Sequence, residues 1–127
     1  MIYDSTFFIA LERRKDRAAA VQFAAAHQDE PARLPVIVLG ELAVGFDSID
    51  ALRAEIAPAY DVEELTEQIA WQASRIQLAL SRRGTLIGEN DTWIAAFALF
   101  YGEPLVSRDT DFQKVVAAGL PLQLARF

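Results

Sequence analysis

With 127 residues, 53% of them hydrophobic and 24% charged, the chain is long enough to bury one core, and its composition points away from disorder. It has no cysteine and a formal charge of −6, which excludes disulfides, thiolate zinc sites and a cysteine nucleophile and argues against holding nucleic acid by bulk attraction. No apolar run approaches the roughly 20 residues of a membrane span, and a strand-like pattern begins at Met1-Ile2-Tyr3, so the expectation is a single cytoplasmic domain over residues 1–127 with no leader and no membrane contact.

Ile2-Tyr3 reads as a very short strand, and Asp4-Ser5-Thr6 follows it with capping groups for a helix that carries Phe7, Phe8 and Leu11. Asp4 thus stands at the carboxyl end of a strand. The basic cluster Arg13, Arg14, Lys15 and Arg17 brackets Asp16, a cap for a second helix with Val21, Ala24 and Ala25 inward. Such clusters are commonly solvated surface; contact with the phosphates of a nucleic acid is the functional reading. His27 lies near that helix's end, where an imidazolium complements the dipole, and it receives no catalytic role.

Pro35 leads into Val36-Ile37-Val38, read as a strand, and Glu41 follows among Leu42 and Val44, most simply as an exposed acid on a surface helix. Ala51 to Ile56 predicts a helix, and Pro58 to Val62 a third short strand with Tyr60 inward. The longest helix is expected from about Asp61 to Arg83, with Leu65, Ile69, Ala73, Ile76 and Leu80 on one stripe. Its acidic start and basic end match the macrodipole, and Trp71 and Leu78 lie off the stripe.

Gly88 to Phe100 predicts a helix with Asn90 as N-cap and Asp91 in the first turn, followed at helical spacing by Ile94, Ala95, Ala98 and Leu99. Trp93, Phe97 and Phe100 make a second stripe, a candidate dimer face. Gly102-Glu103-Pro104 ends the helix, Leu105-Val106-Ser107 reads as a strand, and Arg108-Asp109-Thr110-Asp111-Phe112 follows directly. A helix over Lys114 to Ala118 and a last strand over Pro121 to Leu124 complete the chain.

Short apolar strands alternating with helices predict an α/β sandwich with a mainly parallel sheet, whose ligands bind beyond the carboxyl ends of the strands. Asp4, Glu41 and Asp109 belong to that edge by their place after a strand, and Asp91 reaches it from a helix start. Carboxylates about 5 Å apart repel by roughly 3 kcal/mol per pair at an effective dielectric near 20. Several such pairs rival a domain's whole stability of about 5–15 kcal/mol, so the acids must bind cations or hold protons. Oxygen-only ligation favours Mg²⁺ or Mn²⁺, ions that share substrate phosphate oxygens, so a phosphodiester or phosphomonoester is the natural substrate. The chain lacks a Gly-rich phosphate loop with lysine, H-E-x-x-H and G-x-S-x-G, and nothing supplies the aromatic cleft of a sugar site. The residues alone lead to an acid-cluster α/β domain that binds metal.

These motifs resemble the PIN-domain nucleases, and most closely the VapC-type toxins of bacterial toxin-antitoxin modules. Ile2 to Thr6 is similar to the family's D-[ST]-[ST] strand exit, Val36 to Gly45 to its E-L-x-x-G segment, Gly88 to Leu99 to G-x-x-D-x-x-I-A-A-x-A-L, and Leu105 to Phe112 to L-V-[ST]-x-[DN] ending in D-F. Ser107 stands where threonine is common and keeps the hydroxyl. The resemblance implies a three-layer α/β/α sandwich with about five short, mainly parallel strands. It also implies a Mg²⁺-dependent endoribonuclease, a homodimer, and neutralisation by a cognate antitoxin. The family's acids map onto Asp4, Glu41, Asp91 and Asp109, with Asp111 a nearby fifth. In the roles expected, Asp4 and Asp91 ligate the principal metal, Asp109 completes its shell, and Glu41 orients the attacking water or holds a second ion. Ser107 and Thr6 are auxiliary, Thr6 mainly through capping, and Arg13, Arg14 and Lys15 are candidate RNA contacts. The alternatives are a PIN-family RNA-processing or DNA-directed nuclease without an antitoxin, and a non-enzymatic Mg²⁺-binding receiver-like module. The last needs a lysine at the acid pocket, for which Lys114 is the only late candidate.

Overall fold

The computed structural model describes all of residues 1–127. In chain order the elements are β1 (Ile2–Tyr3), α1 (Ser5–Glu12), α2 (Arg17–Ala26), β2 (Arg33–Pro35), α3 (Val36–Ala43), α4 (Ile49–Ile56), β3 (Asp61–Glu63), α5 (Glu67–Arg82), α6 (Glu89–Tyr101), β4 (Leu105–Val106), α7 (Phe112–Ala117) and β5 (Leu124–Ala125). The five strands form one sheet in the order β3-β2-β1-β4-β5, every pair parallel. From β1 the chain winds outward through β2 and β3, then returns to the other side of β1 for β4 and β5. The crevice between the carboxyl ends of β1 and β4 is therefore the topological switch point, where an open parallel sheet leaves room for a ligand.

Helices cover both faces, because a short parallel sheet must bury both sides. On one face Tyr3 meets Phe7, Phe23 and Tyr60 edge-on, with ring centroids 4.8, 6.5 and 5.4 Å away. On the other, α5 and α6 pack along each other and against α7. Ile69, Ala73, Ile76 and Leu80 of α5 are buried, as the stripe requires. Helix α6 buries Thr92 and Ile94 through Ala98 in an unbroken run, so it is enclosed on most sides. It ends at Gly102, whose φ of +63° lets its N–H and that of Glu103 return to the last carbonyls.

Several boundaries differ from the sequence expectation. Val36-Ile37-Val38 opens α3 instead of forming a strand: β2 ends at Pro35, and Val38 turns fully into the core from the helix. Tertiary packing outweighs the few tenths of a kcal/mol by which β-branched residues disfavour a helix. The long helix begins at Glu67, because Asp61–Glu63 pairs with β2 and Thr66 caps the helix, accepting from Ile69 N at 3.3 Å. Leu65 accordingly lies before the helix and is exposed. Gly88, not Asn90, is the N-cap of α6, which frees the Asn90 side chain. The expected Trp93-Phe97-Phe100 face does not exist as a surface: Phe97 is wholly buried and only Phe100 is exposed.

Charge ties the amino ends of β1, β2 and β4 to Glu63, the last residue of β3. The Arg33 guanidinium binds Glu63 and Glu103, Glu103 also accepts from the Met1 amine at 2.9 Å, and Tyr101 donates to Glu63 at 2.7 Å. The opposite edge carries the acids.

Candidate active site

Asp4 leaves β1 in extended conformation and caps α1, accepting from Ser5 N at 2.7 Å. Its other oxygen accepts from Thr6 Oγ1 at 3.1 Å and from Ser107 Oγ at 2.7 Å. These donors satisfy a carboxylate that is only 3% exposed. Thr6 is thus not the cap; it accepts from Arg108 N at 3.1 Å and so joins α1 to the segment after β4. Ser107 is shared in the same way, since its oxygen accepts from Asp109 N at 3.0 Å.

Beyond β4 the chain makes a compact turn. Asp109 Oδ1 accepts from Asp111 N at 2.8 Å, the Asx geometry by which an aspartate fixes the backbone two residues on. That turn brings Asp109 and Asp111 to Asp91 on the first turn of α6, and one oxygen from each of the three lies within 4.8 Å of the others. Sequence position made Asp109 the favoured member of its pair; the structure places both at the same point. Asp4 lies outside this three-oxygen group but within its field.

Asp91 carries the electrostatic consequence. Burial and the charges of Asp109, Asp4, Glu41 and Asp111, in that order, raise its pKa to about 6. Glu41 reaches the cluster from inside α3, not from a strand end. Its Oε1 accepts from Asn90 Nδ2 at 3.2 Å, while its Oε2 is buried without any partner. A buried acceptor left unmatched costs about 1–3 kcal/mol and marks a place where a proton or cation belongs.

The donor set fits a divalent cation. Three carboxylate oxygens converge, a fourth acid offers a free oxygen, and no nitrogen or sulfur ligand is present. Hard ions with oxygen shells match this chemistry. Lys114 on α7 contacts Asp111 at 2.9 Å and so borders the cluster, closer than its place in a helix suggested.

Arg13, Arg14 and Lys15 are exposed in the turn between α1 and α2. The turn is held at the carboxyl edge by an ion pair of Arg108 with Asp16 at 2.9 Å. Arg108 and Asn90 are the residues that motif reading passed over. Arg108 follows Ser107 directly and Asn90 precedes Asp91, so adjacency to the acids was the available signal.

The PIN-domain family model matches residues 1–118. Among solved structures, VapBC2 from Rickettsia felis, bound to a promoter DNA fragment, matches with a TM-score of 0.80 at 18% identity over 100% of this chain and 99% of that one. VapBC-1 from nontypeable Haemophilus influenzae gives 0.77 at 24% identity, covering 99% and 98%. FitAcB from Neisseria gonorrhoeae gives 0.77 at 22%, covering 99% and 95%. At these identities the likeness is one of fold. No curated protein matches in sequence.

Proposed function

The chain belongs to the PIN-domain family, and from that premise we propose that it is a metal-dependent endoribonuclease toxin of the VapC type, hydrolysing RNA phosphodiester bonds and neutralised by a cognate antitoxin. The observation that carries the reading is the convergence of Asp91, Asp109 and Asp111 on one point, with Asp4 and Glu41 charging it further. The toxin assignment is supported by the VapBC and FitAcB neighbours.

Asp4, Asp91 and Asp109 are the proposed holders of Mg²⁺ or Mn²⁺, with Asp111 beside them. When bound, the ion offsets negative charge on the phosphate oxygens and makes water more acidic. The chain's own residues set the geometry. Ser107 and Thr6 fix Asp4, the Asx turn fixes Asp109, and Asn90 turns Glu41 so that Oε2 stays free to accept a proton. As water forms its bond to phosphorus, one of its protons passes to Glu41 Oε2, the bond to the leaving ribose oxygen breaks, and that oxygen takes a proton from solvent water. We also propose a homodimer; Trp71, 62% exposed, and Phe100 form an apolar patch suited to association.

The test is cleavage by protein freed of any partner. RNA is expected to be cut only with Mg²⁺ or Mn²⁺, and Asp91→Asn to abolish cutting while keeping the fold by circular dichroism. Activity in excess chelator, or an unimpaired Asp91→Asn protein, overturns the reading. Preferential cutting of flapped DNA replaces it with a DNA-directed nuclease.

A further inference from the structure

We propose that Arg13 and Arg108 form a subsite for a phosphate of the RNA strand lying beyond the phosphodiester at the carboxylates. The inference rests on the nuclease reading and extends it to how a polyanion approaches an acidic protein. A chain of net charge −6 with its acids gathered at one edge repels RNA. The strand needs cations beside that edge.

The structure has a cleft in that place, of about 270 Å³, lined by Thr6, Ile9, Ala10, Arg13, Asp16 and Arg108. It adjoins the acid-bearing edge through Thr6, which donates to Asp4 Oδ2 and accepts from Arg108 N, and through Arg108, the residue before Asp109. Arg108 is locked in position, its Nε donating to Phe127 O at 2.9 Å, one terminal nitrogen donating to Asp16 at 2.9 Å, and its guanidinium lying 4.3 Å from the Phe127 ring centroid. The remaining nitrogen makes no hydrogen bond within the protein. Asp16 is the single acid in the cleft, and its charge is answered by Arg108. Arg13 is exposed and has no carboxylate partner, as have Arg14, Lys15 and Arg17 beside it. The ion pair therefore does two things at once. It neutralises the acid of a basic turn and docks that turn against the residue preceding Asp109. A fixed planar donor sharing a cleft with an exposed, unpaired arginine is the arrangement that phosphate oxygens select.

The experiment measures binding of a labelled oligoribonucleotide over a salt series in the Asp91→Asn background, which keeps the strand intact. Arg13→Ala is expected to weaken binding several-fold and to lower the slope of log K against log salt by about 0.7, the loss of one single-strand phosphate contact. Arg13→Lys recovers most of the binding and Arg13→Glu deepens the loss. The internal hydrogen bonds of Arg13 are all made by its backbone, so these side-chain changes leave the fold alone. In proteins with Asp91 intact, Arg13→Ala is expected to reduce kcat/KM, through KM, more for the oligoribonucleotide than for a dinucleotide with one phosphodiester. Unchanged affinity and slope overturn the subsite, as does an equal loss on the dinucleotide, which places Arg13 at the reacting phosphate. If no protein cleaves RNA and Arg13→Ala still weakens binding with the reduced slope, the subsite stands and the nuclease reading fails.

Discussion

Ser107 couples two of the acids through one oxygen. Its buried hydroxyl donates to Asp4 and accepts from the Asp109 amide, so it ties the exits of β1 and β4 together beside the Thr6 link. Ser107→Ala leaves one carboxylate oxygen a donor short and one amide without its acceptor. The expected cost is about 1–3 kcal/mol, read as a lower denaturant midpoint at constant m-value. Cleavage falls with it, because both acids lose orientation, whereas Ser107→Thr keeps the hydroxyl and retains activity. An alanine variant as stable and active as the parent removes Ser107 from the site. The acids themselves were legible in the sequence: Asp4 and Asp109 follow strands, and Asp91 heads a helix. Their partners were less so. Asn90 with Glu41 and Arg108 with Asp16 join residues far apart in the chain, and no local spacing encodes such pairs.

At the scale of elements, the α/β alternation, the parallel sheet and the amphipathic stripe of α5 were legible because each repeats over many residues. The boundaries that moved are those of strands only two or three residues long, shorter than the window in which alternation differs from helical spacing. Val36-Ile37-Val38 has strand composition and folds as helix because its place after a buried three-residue strand leaves Val38 a core position to fill. Asp61 to Glu63 has no breaker after it, and only Thr66, as a cap, separates it from α5. Thr66→Ala tests that boundary. Loss of the cap bond is expected to cost about 1 kcal/mol, or about 4 °C in thermal melting for a domain of this length, with cleavage unaltered. No change in melting shows that the hydroxyl does not set where α5 begins.

Across the whole molecule the two edges of the sheet titrate in opposite senses. At the amino edge, burial raises the Glu103 pKa, but hydrogen bonds and charge from Arg33 and the Met1 amine outweigh it and leave the pKa lowered. A lowered carboxylate contributes stability that is complete above its ordinary value of 4.5 and is lost as pH falls through the folded-state value. At the carboxyl edge Asp91 is raised to about 6, so its contribution is complete below its ordinary 3.8 and is lost as pH rises through about 6. Metal-free protein is therefore expected to melt highest near pH ~4, where neither contribution has been lost, and to lose stability on both sides. Asp91 is only half-buried, so solvent screening limits its share to about 1–2 kcal/mol. Thermal melts across pH in chelator check this with two variants. Asp91→Asn flattens the neutral side and raises the neutral melting temperature by about 3–7 °C, while Glu103→Gln flattens the acidic side alone. Mg²⁺ raises the melting temperature at neutral pH and does so less near pH ~5, where protons compete for Asp91. A melting temperature in chelator that climbs steadily through neutrality, or an equal Mg²⁺ effect at both pH values, refutes the account. The strain at Asp91 is then not the cost of crowding carboxylates at one point.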